Sequence, residues 1–173
     1  AGPVAVETRL FVHQTSVGET TQEIAFYQCN VKNISKKDAR IFLFLAIRPY
    51  SITKSMYAFN RGYHPVRELQ FDPDTNAVTV NGEVGVVPLQ APTAFGCTSL
   101  MHGFDICEFA SRGALPRRHR IQDWSGLASG AYQFACTLGK GDEKKVHFVM
   151  PVTGIPPTPE AIKGGSYSSA VNS

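Results

Sequence analysis

The stretch ARIFLFLAIRPY, residues 39–50, is the longest apolar run of the chain and decides the fold. Alternate residues of a β-strand lie on opposite faces, and both faces of this segment are apolar: Ile41, Leu43, Leu45 and Ile47 against Phe42, Phe44 and Ala46. Two apolar faces are typical of a central strand that is covered on both sides. A buried helix is the competing interpretation, but the Ile and Phe content and the stop at Pro49 favour a strand. Arg48, at the end of the strand, is expected to reach solvent or a carboxylate.

Short strand-like segments separated by turn sequences make up most of the remaining chain. Strands are predicted at residues 4–13, 22–31, 66–71, 78–80, 84–87, 95–99, 131–138 and 146–151. The short polar connectors around the first of these predict antiparallel pairing of neighbours along the chain. Residues 15–21 are predicted to form a polar loop containing Gly18, and residues 33–37 a turn with local side-chain hydrogen bonds. Asn81-Gly82 marks a type I′ hairpin, and DPDTN at residues 72–76 marks another turn. No segment has the pattern of a capped amphipathic helix, so the predicted fold class is all-β, an antiparallel β-sandwich with long irregular loops.

Length and composition describe one domain with a tail. The chain has 173 residues, and we assign residues 1–154 to the sandwich domain and residues 155–173, rich in Pro, Gly and Ser, to a linker. The net charge of +3 is small, so no nucleic-acid partner is predicted. No apolar run approaches the ~18 residues of a membrane span, so no membrane partner is predicted either. The compartment stays open, with the cytoplasm favoured.

The cysteines and histidines show no metal-ligand spacing. Cys29, Cys97, Cys107 and Cys136 include no CxxC pair, so no zinc site is expected. Free buried thiols are the favoured interpretation, especially for Cys29 and Cys136, which lie in strand-like segments. A disulfide between Cys97 and Cys107 is the alternative. Neither a metal nor a cofactor is predicted.

Aromatic side chains in irregular segments are candidate carbohydrate contacts. They are Tyr57, Tyr63 and Trp124. Exposed aromatic rings stack against sugar rings, and they can equally plug the edge of a sandwich.

Two groups of charged residues are also candidates. Arg117, Arg118 and Arg120 form an anion-binding candidate, although such a run is more often a solvated loop. Asp105, Glu108 and Asp123 could supply a carboxylate pair for glycoside hydrolysis, which requires two carboxyl groups roughly 5 to 10 Å apart. The sequence patterns of nucleotide-binding loops, zinc proteases and serine hydrolases are absent.

Several segments together resemble a known family. The order VKNISKKDARIFLFLAIRPY, a long loop, and TVNGEVGVV resembles the N-terminal β-supersandwich domain of bacterial six-hairpin glycoside hydrolases and phosphorylases. The matching pieces are Phe44–Tyr50, Val78–Gly82, Gly130–Tyr132 and Met150–Pro157, within residues 4–157. The loop SITKSMYAFNRGYHP at residues 51–65 matches no family motif.

The resemblance implies an accessory domain rather than an enzyme. In that family the catalytic acid and base lie on a helical (α/α)6 barrel, so no catalytic residue is assigned to this chain. The implied partners are a barrel domain of the same polypeptide and an oligo- or polysaccharide, with a possible homo-oligomer. Segments 51–64 and 102–128 are the candidates for a loop lent to the barrel, with exposed polar and aromatic residues, and an apolar patch larger than a monomer usually shows is expected on one sheet face or edge. A stand-alone carbohydrate-binding module, a small hydrolase and a jelly-roll structural subunit remain alternatives.

Overall fold

In a computed structural model, residues 4–17, 20–49 and 65–153 are described, and they form two antiparallel sheets. The strands are β1 (Val4–Val17), β2 (Thr20–Asn33), β3 (Ala39–Ile47), β4 (Glu68–Phe71), β5 (Val78–Val80), β6 (Glu83–Pro88), β7 (Ala94–Ser99), β8 (Arg120–Gln122), β9 (Ala128–Leu138) and β10 (Glu143–Thr153). The larger sheet has the order β1-β2-β10-β6-β5-β4-β8, and the smaller sheet has the order β3-β9-β7. The prediction of an all-β, sandwich-like fold is confirmed.

The N-terminal strands form a long hairpin. β1 and β2 pair antiparallel over their whole length, from Val4 opposite Asn33 to Val17 opposite Thr20. The predicted pairing of these neighbours is confirmed, but the predicted polar loop at residues 15–21 is too long. Residues 15–17 and 20–21 belong to the strands, because the ladder continues through Thr and Val residues that favour extended backbone.

The apolar stretch forms β3, but the prediction that it is a central strand is wrong. Within the described residues β3 pairs only with β9, from Ala39 opposite Leu138 to Ile47 opposite Gly130. The prediction that β3 pairs with β2 is also wrong, because the chain crosses to the other sheet between them. Leu43 and Ile47 pack on the core, whereas Phe42 is 39% exposed on the outer face. Alternation identified two apolar faces without revealing what covers the second.

The core between the sheets is built on aromatic rings. Tyr132 of β9 is fully buried at its centre. Its ring lies 5.2 Å from the ring of Phe95 and 5.9 Å from that of Phe148, which come from different sheets. Phe71 stacks on Phe95 at 4.9 Å. Because offset-stacked and edge-to-face rings interact favourably beyond their area, this cluster fixes how the sheets face each other.

A buried asparagine ties the crossover between the sheets to a distant turn. The Asn33 Nδ2 donates to the carbonyls of Lys37, Leu138 and Gly139 at 2.8, 2.8 and 3.1 Å. Its Oδ1 accepts from the Ser35 N–H at 2.9 Å. The segment 33–37 was predicted to be a turn with local side-chain hydrogen bonds, and this is confirmed. The bonds to the β9–β10 turn were not foreseen.

The two predicted tight turns are confirmed. Asn81 and Gly82 both have positive φ, 54° and 87°, as a type I′ hairpin requires. In the DPDTN turn the Asp72 Oδ1 accepts from the Asp74 N–H at 2.9 Å. The Asn81 Oδ1 also accepts from the Arg67 N–H at 2.7 Å, so this turn holds the segment leading into β4.

One short helix was not predicted. A 3-10 helix at Leu100–His102 precedes the helix α1 (Ile106–Ser111), which begins after its N-cap Asp105. Six residues are too few to show the periodicity on which helix prediction depends. In the described ranges, no helix is both long and apolar enough to cross a membrane.

Acid is expected to destabilise the protein through His147 on β10. Partial burial and the neighbouring Lys145 lower the pKa of His147, and its Nδ1 lies 3.0 Å from the Gln90 Nε2. The unfolded chain therefore takes up this proton first as the pH falls below about 6.5, which reduces the free energy of unfolding by at most ~1.4 kcal/mol per pH unit. Urea titrations between pH 8 and 5 should show a smaller loss for His147→Gln. An equal loss in both proteins would contradict the assignment.

Candidate functional site

Large apolar side chains lie exposed at one end of the sandwich. The end cluster, as we name it, consists of Leu100 (48% exposed), Met101 (62%), Phe104 (50%) and Trp124 (83%). The segment carrying Leu100 lies beside the turn carrying Trp124, because the Leu100 N–H donates to the Leu127 carbonyl at 3.4 Å. Large exposed apolar side chains on neighbouring segments are typical of an interaction surface.

The turn that presents Trp124 is held by Asp123. The Asp123 Oδ1 accepts from the Ser125 N–H at 2.8 Å, and the Gly126 N–H donates to the Asp123 carbonyl at 3.0 Å. Burial by itself raises the pKa of Asp123, but hydrogen bonds from Ser125 and Ser99 and the nearby His102 outweigh it and lower that pKa. The turn is therefore held by an ionised, buried carboxylate.

A second anchor fixes the other side of the end cluster. The Asp105 Oδ1 accepts from the Cys107 N–H at 2.8 Å, and its Oδ2 accepts from the Arg48 Nε at 3.1 Å. The expectation that Arg48 reaches a carboxylate is confirmed. The Ile106 N–H donates to the Ser129 Oγ at 3.1 Å, so α1 is attached to β9 directly.

The three candidate carboxylates are each engaged by protein groups. Asp105 pairs with Arg48, Glu108 pairs with Arg112 at 2.8 Å, and Asp123 is 5% exposed and caps its own turn. This arrangement gives each of them a structural role and does not favour the hydrolase alternative. Among the residues that the structure describes, no group of three or more His, Cys, Asp or Glu side chains could hold a metal ion.

Of the arginine candidates, Arg117 and Arg118 line the same pocket, whereas Arg120 is paired with Glu68. The Arg120 Nε and Nη2 donate to Glu68 at 3.0 and 2.8 Å across the β4–β8 pair, and these bonds, with one from Gln122, lower the pKa of Glu68. The Arg118 carbonyl accepts from the Cys97 N–H at 2.9 Å. Arg117 lines both of the pockets described next.

Two shallow pockets lie on either side of the segment 114–119, which crosses β7. They have volumes of about 460 and 410 Å³. The first is lined by Phe71, Pro92, Thr93, Ala94, Phe95, Leu115, Pro116, Arg117, His119 and Gln133, and the second by Cys97, Thr98, His102, Phe109, Pro116, Arg117 and Arg118. The segment lies so close to the strand that a Cβ on Gly96 would collide with the Pro116 carbonyl oxygen. Glycine at position 96 is the sequence signal for this crossing, and it was missed.

Of the aromatic candidates, only one lies in the described part of the chain. Trp124 is the most exposed of the large apolar side chains there. Tyr57 and Tyr63 lie outside the described residues, as do the rest of segment 51–64 and the linker assigned to residues 155–173.

All four cysteines are free thiols, so the alternative of a disulfide between Cys97 and Cys107 is not supported. Cys97 is buried and Cys107 is exposed. The expectation of a buried thiol holds for Cys29 and only in part for Cys136, which is half-buried.

Cys107 is expected to be the first thiol to react with an alkylating reagent. Burial raises the pKa of Cys97 to about 12 against the effect of Arg118, and burial also raises the pKa of Cys29. Partial burial and Asp105 raise the pKa of Cys107 as well, so its reaction at about pH 8 should be slow for an accessible thiol. Mass spectrometry of peptides from native protein should show this order, and Cys107→Ser should remove the first modification. Labelling of Cys97 ahead of Cys107 would contradict it.

The class that these observations define is an antiparallel β-sandwich with an exposed apolar end. No family model matches the sequence, and no curated protein matches it.

Proposed function

We propose that this chain is a non-catalytic β-sandwich domain of a glycoside hydrolase or phosphorylase. In this proposal the end cluster packs against a helical (α/α)6 barrel of the same polypeptide, and the barrel carries out the chemistry on an oligo- or polysaccharide. The proposal rests on the family resemblance of the strand and hairpin motifs together with one structural observation, the end cluster itself.

The end cluster supports the proposal because it is both apolar and well anchored. Exposed Met101 and Trp124 would gain about 25 cal/mol for each Å² of apolar surface that a partner removes from water. The backbone beneath them is held by Asp123 and by the Arg48–Asp105 pair. A rigid apolar surface loses little conformational entropy when a partner covers it, which favours a permanent interface.

The decisive experiment compares this chain with a version extended in its native reading frame. Both would be assayed for hydrolysis and phosphorolysis of α- and β-linked oligosaccharides. Activity of the extended protein alone is the expected result. Activity of the 173-residue chain by itself would overturn the proposal.

A pair of variants in the extended protein tests the interface directly. Met101→Ser with Trp124→Ser should lower the thermal unfolding temperature of the extended protein while leaving that of the isolated chain nearly unchanged. Ile34→Ser is a matched control, because Ile34 is 55% exposed and lies at the opposite end of the β3–β9 pair. Equal effects of the double variant in both proteins would show that the end cluster contacts nothing outside the sandwich.

A stand-alone carbohydrate-binding module is the second candidate, favoured by one observation. The Trp124 side chain is 83% exposed, and a ring so free of protein contacts can stack on a sugar. Affinity electrophoresis in gels containing soluble α-glucan, β-glucan or xylan tests this. Retardation that weakens roughly ten-fold in Trp124→Ala would support the module, and no retardation in any gel would reject it for these polysaccharides.

A further inference from the structure

β1 is an edge strand with two chemically distinct sides. Within the described part of the chain it pairs only with β2, so its other backbone edge is open. On one side Val6, Leu10 and Val12 are 56%, 65% and 56% exposed. On the other side the Arg9 Nε and Nη2 donate to Glu7 at 3.1 and 3.0 Å.

The apolar side of β1 faces inward but is not covered. Leu10 lies opposite Tyr27 of β2, which packs on the core between the sheets, and Val6 lies opposite Val31, which is 2% exposed. The smaller sheet has three strands against seven, so it does not extend over the row on β1. A long edge strand with exposed alternating apolar residues is a template for another strand, and monomeric proteins usually protect such edges.

The sequence of β1 is self-complementary about Thr8. Reading outward from Thr8, Glu7 is matched by Arg9, Val6 by Leu10, Ala5 by Phe11, and Val4 by Val12. In an antiparallel pair, directly opposite residues lie on the same face and interact. Two copies of β1 placed with Thr8 opposite Thr8 would therefore set each Glu7 opposite an Arg9 and each Val6 opposite a Leu10.

We infer that two copies of this chain associate through antiparallel pairing of their β1 edges, centred on Thr8. A two-fold axis through this point makes the contact isologous and closed, as in most homodimers. The pairing joins two seven-stranded sheets, satisfies the open backbone edge, and places the two apolar rows side by side.

Other registers are disfavoured by the same residues. A shift of one residue would place Leu10 of one copy opposite Glu7 of the other, on the wrong face of the sheet. A shift of two residues in one direction places Glu7 opposite Glu7, and in the other direction it places Arg9 opposite Arg9. Like charges directly opposite each other destabilise a strand pair, so only the register centred on Thr8 matches both faces.

Charge exchange at the two positions tests the pairing. Sedimentation velocity of the wild type up to about 100 μM should show a reversible dimer with a dissociation constant in the range such an experiment detects. Arg9→Glu and Glu7→Arg should each weaken the dimer roughly ten-fold or more, because both two-fold-related charge pairs become repulsive. The double variant with both changes should restore the dimer, since the charges are only exchanged. An equimolar mixture of the two single variants should form a heterodimer, because every opposed pair is again of opposite charge.

Cysteine cross-linking tests the register. In a background with Cys107→Ser and Cys29→Ala, the latter because Thr8 lies opposite Cys29 of its own β2, Thr8→Cys should form an intermolecular disulfide under mild oxidation, because directly opposite Cβ atoms lie about 4.5 to 5.5 Å apart. Glu7→Cys is the matched control and should cross-link much more slowly, since Glu7 lies opposite Arg9. Three results would each overturn the inference. The wild type could stay monomeric, the single and double variants could sediment alike, or cross-linking could be faster at position 7 than at position 8.

Discussion

Replacing Tyr132 with alanine is expected to lower the free energy of unfolding by about 3 to 5 kcal/mol, the range for removing a large aromatic side chain from a core. Tyr132 is fully buried, and its ring contacts rings from both sheets. Its hydroxyl lies 3.0 Å from the carbonyl oxygens of both Asn76 and Val86, which share its single hydrogen. Urea-induced unfolding monitored by circular dichroism measures the change.

Tyr132→Phe separates the two contributions of this side chain. It keeps the ring and removes only the hydroxyl, so the single hydrogen that two carbonyls share is lost, at a cost of about 1 to 3 kcal/mol. A Phe variant as unstable as the Ala variant would show that the hydroxyl, rather than ring packing, holds the sheets together. If the Ala variant is as stable as the wild type, the assignment of Tyr132 to the core is wrong.

Asn33→Ala is expected to have the second largest effect, a loss of roughly 3 kcal/mol or more. The change removes one side chain that satisfies three carbonyls and one N–H group, and each buried group left without a partner costs about 1 to 3 kcal/mol. Asn33 is fully buried, so water cannot readily replace the lost bonds. The same urea titration measures the effect, and a loss below about 1 kcal/mol would contradict it.

Asn33→Asp serves as the matched variant for this position. Aspartate has nearly the same shape, but at neutral pH it places a negative oxygen against carbonyls that asparagine satisfies by donating. The Asp variant should therefore be strongly destabilised at pH 7, and its stability relative to the wild type should improve as the pH falls toward about 4, where the carboxyl group takes up a proton. A stability difference that does not change with pH would argue against these carbonyl contacts.

Much of the strand arrangement could be predicted because the sequence alternates clearly. The hairpin turn at Asn81-Gly82 and the pairing of β1 with β2 follow from local chemistry, and both are present. The placement of β3 was wrong because pairing within the smaller sheet joins residues that are far apart in the chain, such as Leu43 and Phe134. Alternation of apolar and polar residues predicts which face of a strand is buried. It does not predict which distant strand pairs with it.

The candidate site was only partly predictable. Trp124 was recognised because aromatic residues in irregular segments are conspicuous, and the structure exposes it. Leu100 and Met101 were not recognised, because two apolar residues directly after a strand have the pattern of further buried core residues. The pairing of Arg120 with Glu68 was equally hidden, since those residues are distant in sequence and meet only through the β4–β8 ladder.

The position of β10 in the larger sheet has a consequence for how the protein is made. β10 lies between β2 and β6, yet it is the last strand of the described chain to leave the ribosome. Until then β2 has one unpaired edge and Phe26 lacks its neighbour Val149. The β1–β2 hairpin therefore cannot complete its sheet before β10 has been synthesised. Sheets completed by such long-range pairing fold slowly and expose aggregation-prone edges meanwhile. Nascent chains arrested before residue 143 should therefore recruit chaperones, and release of the complete β10 should end that dependence.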